Sequence, residues 1–242
     1  MLCMGNVLRR RMDADMRVLK RLLTKQIETG GELGYFGLGE WWKSTFSTAE
    51  RQYVERTFGS GGLPSGARPL TRDRGLLNVS TAAGLLTLLA DRLSNRPEDR
   101  GLACRVLAKA EERALAEDDI LGLHFVYHQM IRLHCRWKAH FADALDRVFA
   151  ACHRQIRLAP RTAEAFRERF PDRPLPTHLG YLQAAGMLEQ QNAFSQAIEV
   201  CRQAGSEGWS GNWEWRIQRM ARRLPEERHS MKPISGSGMG EI

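Results

Sequence analysis

Three stretches of this chain repeat one spacing of apolar and small residues, and that spacing admits little besides paired helices. In the last of them Tyr181, Ala184, Ala185 and Leu188 fall at i, i+3, i+4 and i+7, one face of a helix. Ala197, Cys201 and Ala204 follow at i, i+4 and i+7, with Phe194 just ahead. Upstream, Tyr127, Met130, Ile131 and His134 precede Ala144, Val148 and Ala151, and Leu86, Leu89, Ala90 and Leu93 precede Ala103, Leu107 and Ala110. Both helices of a copy move together. Leu86 to Tyr127 and Ala103 to Ala144 are each 41 residues, while Tyr127 to Tyr181 is 54 and Ala144 to Ala197 is 53. The small residues matter physically, because helix axes approach closely only where side chains are short. Alternating apolar and polar stretches bounded by turn residues are absent, so no strand is expected. The expected fold class is all-α.

The extra length before the third copy is expected from Pro160 ending one helix, Thr162 capping a short one through Phe170, and a stiff PDRPLP link from Pro171 to Pro176. Ser47 and Glu50 have capping-box spacing, which predicts a helix to about Phe58. Trp41, Trp42, Phe46 and Tyr53 read as an aromatic plug against the first repeat. The boundaries that follow are an N-terminal helical arm over 1–58, a flexible Gly/Pro/Ser-rich linker over 59–79, a repeat domain over 80–224 and a disordered tail over 225–242. Trp213, Ile217, Met220 and Leu224 share one face of a terminal capping helix, with Arg216, Arg219, Arg222 and Arg223 expected away from it.

The third copy, HLGYLQAAGMLEQQNAFSQAIEVCRQA, resembles a tetratricopeptide repeat, whose pattern is an aromatic, then Leu, then a small residue, then an aromatic or Leu, followed by two spaced alanines. Ala184 stands where Leu is usual in that pattern. Asn192 stands at the turn where Gly is usual, and Asn tolerates the left-handed backbone a helix end needs. The resemblance implies a right-handed superhelix of antiparallel helix pairs whose first helices line a concave groove. It implies a non-catalytic scaffold that binds a protein or peptide there. In copy two that wall would carry His128, Arg132, Cys135 and Arg136; in copy three it would carry Leu182, Gln183, Gly186 and Glu189, with Leu179 beside them. The planar fork of arginine suits carboxylates, so the bound segment is expected to bear Asp or Glu, with Leu179 and Leu182 taking an apolar neighbour. An ordinary solvated face is the plainer reading of the same two arginines. The family's Lys and Asn clamp for a peptide C-terminus is not matched.

The net charge of the 242 residues is +8, and it sits at the ends. Residues 1–30 contribute +4 and residues 216–242 contribute +3, which supports an alternative: an accessory protein that meets nucleic acid or an anionic membrane through its basic termini. In the segment ADMRVLKRLLTKQI, Met16, Leu19, Leu22 and Leu23 form an apolar stripe beside Arg17, Lys20, Arg21 and Lys25, a helix that docks on the body or on such a surface. No apolar run is long enough for a membrane span, and the basic cluster near the N-terminus follows its apolar patch, the reverse of a secretory signal, so a cytoplasmic location is expected. Five scattered cysteines without a CxxC pair argue against a disulfide framework or thiolate zinc cage.

Catalytic motifs are missing: there is no GxxxxGK, GxSxG or HExxH, and no cofactor is expected. His124, His128 and Cys135 share one helix edge at i, i+4 and i+11. Eleven residues of helix span about 16 Å, too far for one ion to join all three, so no metal is expected.

Overall fold

The computed structural model describes residues 30–60, 63–64 and 66–224. The basic segment within 1–30, apart from Gly30, and the tail 225–242 lie outside those residues, and with them the expectations placed there. Among the described residues there are ten α-helices: α1 (Gly31–Tyr35), α2 (Gly39–Thr45), α3 (Thr48–Gly59), α4 (Ala82–Leu93), α5 (Arg100–Ala116), α6 (Ile120–Arg136), α7 (Ala144–Arg169), α8 (Leu179–Gln190), α9 (Phe194–Ser206) and α10 (Trp213–Ala221). A 3-10 turn, Pro97–Asp99, leads into α5, and two short strands complete the set, β1 (Leu175–Thr177) and β2 (Trp209–Ser210). None of these helices is long and apolar enough to cross a membrane.

The three copies are the helix pairs α4/α5, α6/α7 and α8/α9. Each helix from α4 onward packs on the next, and the first helices also meet: α4 packs on α6, and α6 on α8. The alanines that carry the spacing, Ala103, Ala110, Ala144, Ala151, Ala185, Ala197 and Ala204, are all buried at these crossings. Leu86, Leu89 and Leu93 of α4 have no exposed surface, and each such side chain contributes about 1.5–3 kcal/mol of transfer free energy. The turns follow from local chemistry. Thr81 accepts from Gly84 N (3.0 Å) to cap α4, and Asp119 accepts from Gly122 N (2.8 Å) to cap α6. Asn192, between α8 and α9, takes φ +59°, the left-handed turn that Asn tolerates.

The N-terminal block joins the first pair in one apolar cluster. Trp42 and Phe46 are buried there with Leu86 and Leu89, and Trp41 and Tyr53 pack against it. Ser47 and Glu50 form the reciprocal capping box of α3. The stretch 59–79, expected as a flexible linker, differs from that expectation in its second half. Leu70 has no exposed surface, and Pro69 and Leu70 carbonyls accept from Glu32 N (2.9 Å) and Leu33 N (3.0 Å). Gly31 makes this possible: it sits at φ +62°, and a Cβ there would lie 2.5 Å from Pro69 O. Burial of Leu70 and satisfaction of its backbone outweigh the turn-forming composition around it.

Four further expectations are corrected. Pro160 does not end a helix: α7 runs unbroken from Ala144 to Arg169. Thr162 is buried mid-helix, not a cap, and its hydroxyl donates to Leu158 O (3.0 Å). An interior proline costs about 3 kcal/mol. Ala159, Ala163 and Phe166, all buried in the cluster of the third pair, offset it. Strand pairing exists, although minimal: β1, inside the proline-rich link, runs parallel to β2 with Leu175 opposite Trp209. Finally, Arg216 and Arg219 do not point away from the body. Arg216 is only 8 % exposed, and both arginines turn inward onto Glu189 of α8.

Candidate functional site

The first-helix wall is built from α4, α6 and α8. Arg132 and Arg136 stand one turn apart on α6, and both reach back to the C-terminal end of α4. Arg132 Nη1 lies 3.2 Å from Asp91 Oδ1 and 3.4 Å from Gln129 Oε1. Arg136 Nη1 donates to Ser94 O (3.0 Å) and Asn95 Oδ1 (2.8 Å). Gln129 Nε2 adds bonds to Asp91 and Ser94, and Trp137 Nε1 donates to Ser94 O at 3.1 Å. The last carbonyls of a helix lack intrahelical partners and favour nearby cations, so α4's end is a natural seat for these donors.

Between α6 and α8 the link is softer: Cys135 Sγ lies 3.7 Å from Gln183 Oε1. Leu179 packs against the buried group of Ile131, Val148 and Cys152, and Leu182 against that of Tyr181 and Cys201. Both leucines are therefore half-occupied by the protein's own core. His128 is half-buried, and burial and then Arg132 lower its pKa. The six residues singled out on this wall thus lie along neighbouring helices without converging on one point: the arginines go to α4, Gln183 to α6, and the leucines inward.

Past them the wall closes on an ion triad. Glu189 of α8 accepts from Arg216 (2.8 Å) and from Arg219. Burial pulls the Glu189 pKa upward, but the two guanidinium groups outweigh it and hold it below the usual carboxylate range. Gly186 faces Arg216, and a Cβ there would meet Nη2 at 3.7 Å, an ordinary contact that an alanine could also make. No local spacing signals this triad, because Arg216 comes from 27 residues further along the chain.

Beneath the wall lies a histidine cluster that helical spacing alone does not reveal. His124 is 2 % exposed and stacks on Trp209 (5.9 Å, 7° between planes), with His178 at 5.2 Å and His128 at 6.4 Å. His178 Nδ1 accepts from Tyr181 N (3.3 Å) and so caps α8. Gln155 of α7 ties the region together, donating to His124 O (3.0 Å) and accepting from Gly180 N (2.8 Å). His124 Nδ1 and His178 Nε2 are buried without partners among the described residues. Burial, then the His178 and His128 rings, press the His124 pKa down to about 3, and burial takes His178 to about 4. Both rings are neutral at physiological pH. Among the described residues no group of three His, Cys, Asp or Glu is placed to hold a metal ion. His124 and Cys135, on one edge in the sequence, serve different neighbours: Trp209 and Gln183.

Set against known proteins, the chain matches no family, no curated protein and no solved structure.

Proposed function

We propose that this chain is a non-catalytic scaffold of the tetratricopeptide type, a right-handed superhelix of helix pairs that holds a protein or peptide segment along its first-helix wall in the cytoplasm. The observation that carries the reading is the contact of α4 with α6 and of α6 with α8, which makes the first helices one continuous surface. The segment it takes bears Asp or Glu opposite Arg132 and Arg136. The Arg132–Asp91 pair favours this, because its side chains are 45 % and 40 % exposed. Exposed pairs are worth about 0–1 kcal/mol, so a partner's carboxylate replaces Asp91 at little cost. Among the described residues Arg136 engages only neutral acceptors, Ser94 O and Asn95 Oδ1, and a carboxylate there gains a charge-assisted bond.

The test is co-purification with wild type, with Arg132→Glu/Arg136→Glu, and with Arg9, Arg10 and Arg11 all changed to Gln. Charge reversal on the wall removes the partner while the melting curve stays in place, and the arm variant retains it. Loss confined to the arm variant, with binding that weakens steeply in salt, moves the working surface to the basic N-terminus and refutes the wall.

A further inference from the structure

The face of α6 that carries His128, Arg132 and Arg136 continues toward the start of the helix through Phe125. Phe125 stands one turn before His128 and two before Arg132, and it is 48 % exposed. Its ring is one of three. Phe125 packs edge-on against Phe166 (6.1 Å between centroids), and Phe166 neighbours Phe170 (6.3 Å), which is 38 % exposed. The middle ring is buried, so the row has an open ring at each end. Beside Phe170 lies a pocket of about 190 Å³, walled by Phe166, Pro174, Leu175 and Pro176. The prolines fix their own φ, which stiffens that wall.

Apolar side chains exposed singly are ordinary, but two open rings joined by a third and set against a pocket form a patch. Charge sets the chemistry of what covers it. On the helices that build or brace the wall, exposed and buried groups count alike. α4 holds Asp91 and Arg92, α6 holds Arg132 and Arg136, α8 holds Glu189, and α10 holds Glu214, Arg216 and Arg219. Five arginines against three carboxylates leave +2. At the aromatic end, Arg167, Arg169 and Arg173 against Glu168 and Asp172 leave +1. The wall and its aromatic end are both cationic in sum.

We propose that the wall takes a helical segment of a partner protein that bears an aromatic side chain two turns away from its carboxylates. This rests on the scaffold reading and names a second anchor on that same surface. The aromatic side chain covers Phe125 and Phe170 and reaches the pocket beside them, while the carboxylates meet Arg132 and Arg136. Phe125 and Arg132 stand at i and i+7, about 10 Å of rise, which a helix laid alongside matches with its own spacing. A helix also satisfies its own backbone, whereas an extended segment finds few free donors or acceptors along the sides of other helices. An aromatic side chain is favoured over an aliphatic one, because ring pairs gain up to about tenfold in affinity beyond the area they bury.

The probe is an alanine-based helical peptide with Phe two turns before a pair of Glu one turn apart, together with the same sequence reversed. Both are titrated into the full chain and followed by its amide signals in NMR. At least one order binds, with a dissociation constant of roughly millimolar or below. Phe125→Ala and Phe170→Ala each weaken it about tenfold, and replacing the peptide's Phe by Ala removes the effect of both substitutions. Phe149→Ala, which truncates a comparably exposed ring on the second helix α7, changes nothing. The cycle reads the coupling between rings, which a loosened fold does not produce, and the peptide's own substitution decides the matter if a protein variant fails to fold. A peptide without Phe that binds as tightly overturns the aromatic anchor. If Arg132→Glu/Arg136→Glu still abolishes that binding, the scaffold reading outlives it. No binding in either order, or binding indifferent to both the arginines and the rings, overturns the two together.

Discussion

The two sides of the helix pairs treat their polar groups in opposite ways. On the first-helix wall the arginines reach a neighbouring helix: Arg132 meets Asp91, Arg136 meets Ser94 and Asn95, and Arg216 and Arg219 of α10 meet Glu189, although the Nε atoms of the last two keep no partner among the described residues. The histidines behind that wall and under the second helices do not. Among the described residues His124, His134 and His178 each keep a buried nitrogen without a partner. The wall can therefore be charged and still be stable, while the histidine side is stable only while its rings stay neutral. That difference makes the histidine side, and not the wall, sensitive to acid.

Acid breaks the comparison most strongly. Burial lowers the pKa of His124 to about 3 and those of His134 and His178 to about 4, below the 6.5 of a free imidazole. Arg100 and Arg147 add to the shift at His134, opposed by Asp143. Between those values the unfolded chain binds more protons than the folded one, so stability is full above about pH 6.5 and falls as pH drops toward 4. Each ring contributes up to about tenfold in the folding constant per pH unit across that window. Protonating His178 on Nδ1 also removes the cap of α8. His178→Asn keeps a capping oxygen without the titration, and urea melts from pH 7.5 to 4.5 become shallower in that variant. A wild-type profile flat over the same range means the histidines are not buried as described.

The triad comes next. Glu189 is 12 % exposed and Arg216 10 %, so Glu189→Ala leaves a buried guanidinium unpaired and costs about 3–5 kcal/mol by denaturant unfolding. A loss under about 1 kcal/mol refutes the idea that this pairing anchors α10. Ala197→Leu then measures the packing itself. Ala197 has no exposed surface, and overpacking there costs about 1–3 kcal/mol. Ala151 lines a groove between α5 and α7, so Ala151→Leu costs less than Ala197→Leu; equal costs mean the groove is closed in solution. The smallest effect belongs to Arg132→Gln, whose exposed pair with Asp91 changes stability by about 0–1 kcal/mol. A larger loss shows that Arg132 braces α4 and is not free for a partner.

What the sequence determined by itself was local. The i, i+3, i+4, i+7 spacings placed the three helix pairs, and the buried alanines sit where that spacing requires. Ser47 with Glu50, Asp119 and Asn192 set helix ends through bonds or backbone preferences within a few residues of themselves. For the candidate site, spacing put His128, Arg132 and Arg136 along one helix and Leu179, Leu182 and Gln183 along another, and no further. Only the tertiary structure decided what each one meets. Arg132 and Arg136 turn to residues about 41 positions back, Arg216 to one 27 back, and Leu70 to the apolar cluster it shares with Trp42 and Leu86. Pro160 stays inside α7 because Phe166 and Ala163 have a cluster to bury in, and β1 exists because Trp209 lies beside it. A helical period says which residues share a face. It does not say what covers that face, because the covering group arrives from a distant part of the chain, and its gain is known only once the chain has folded.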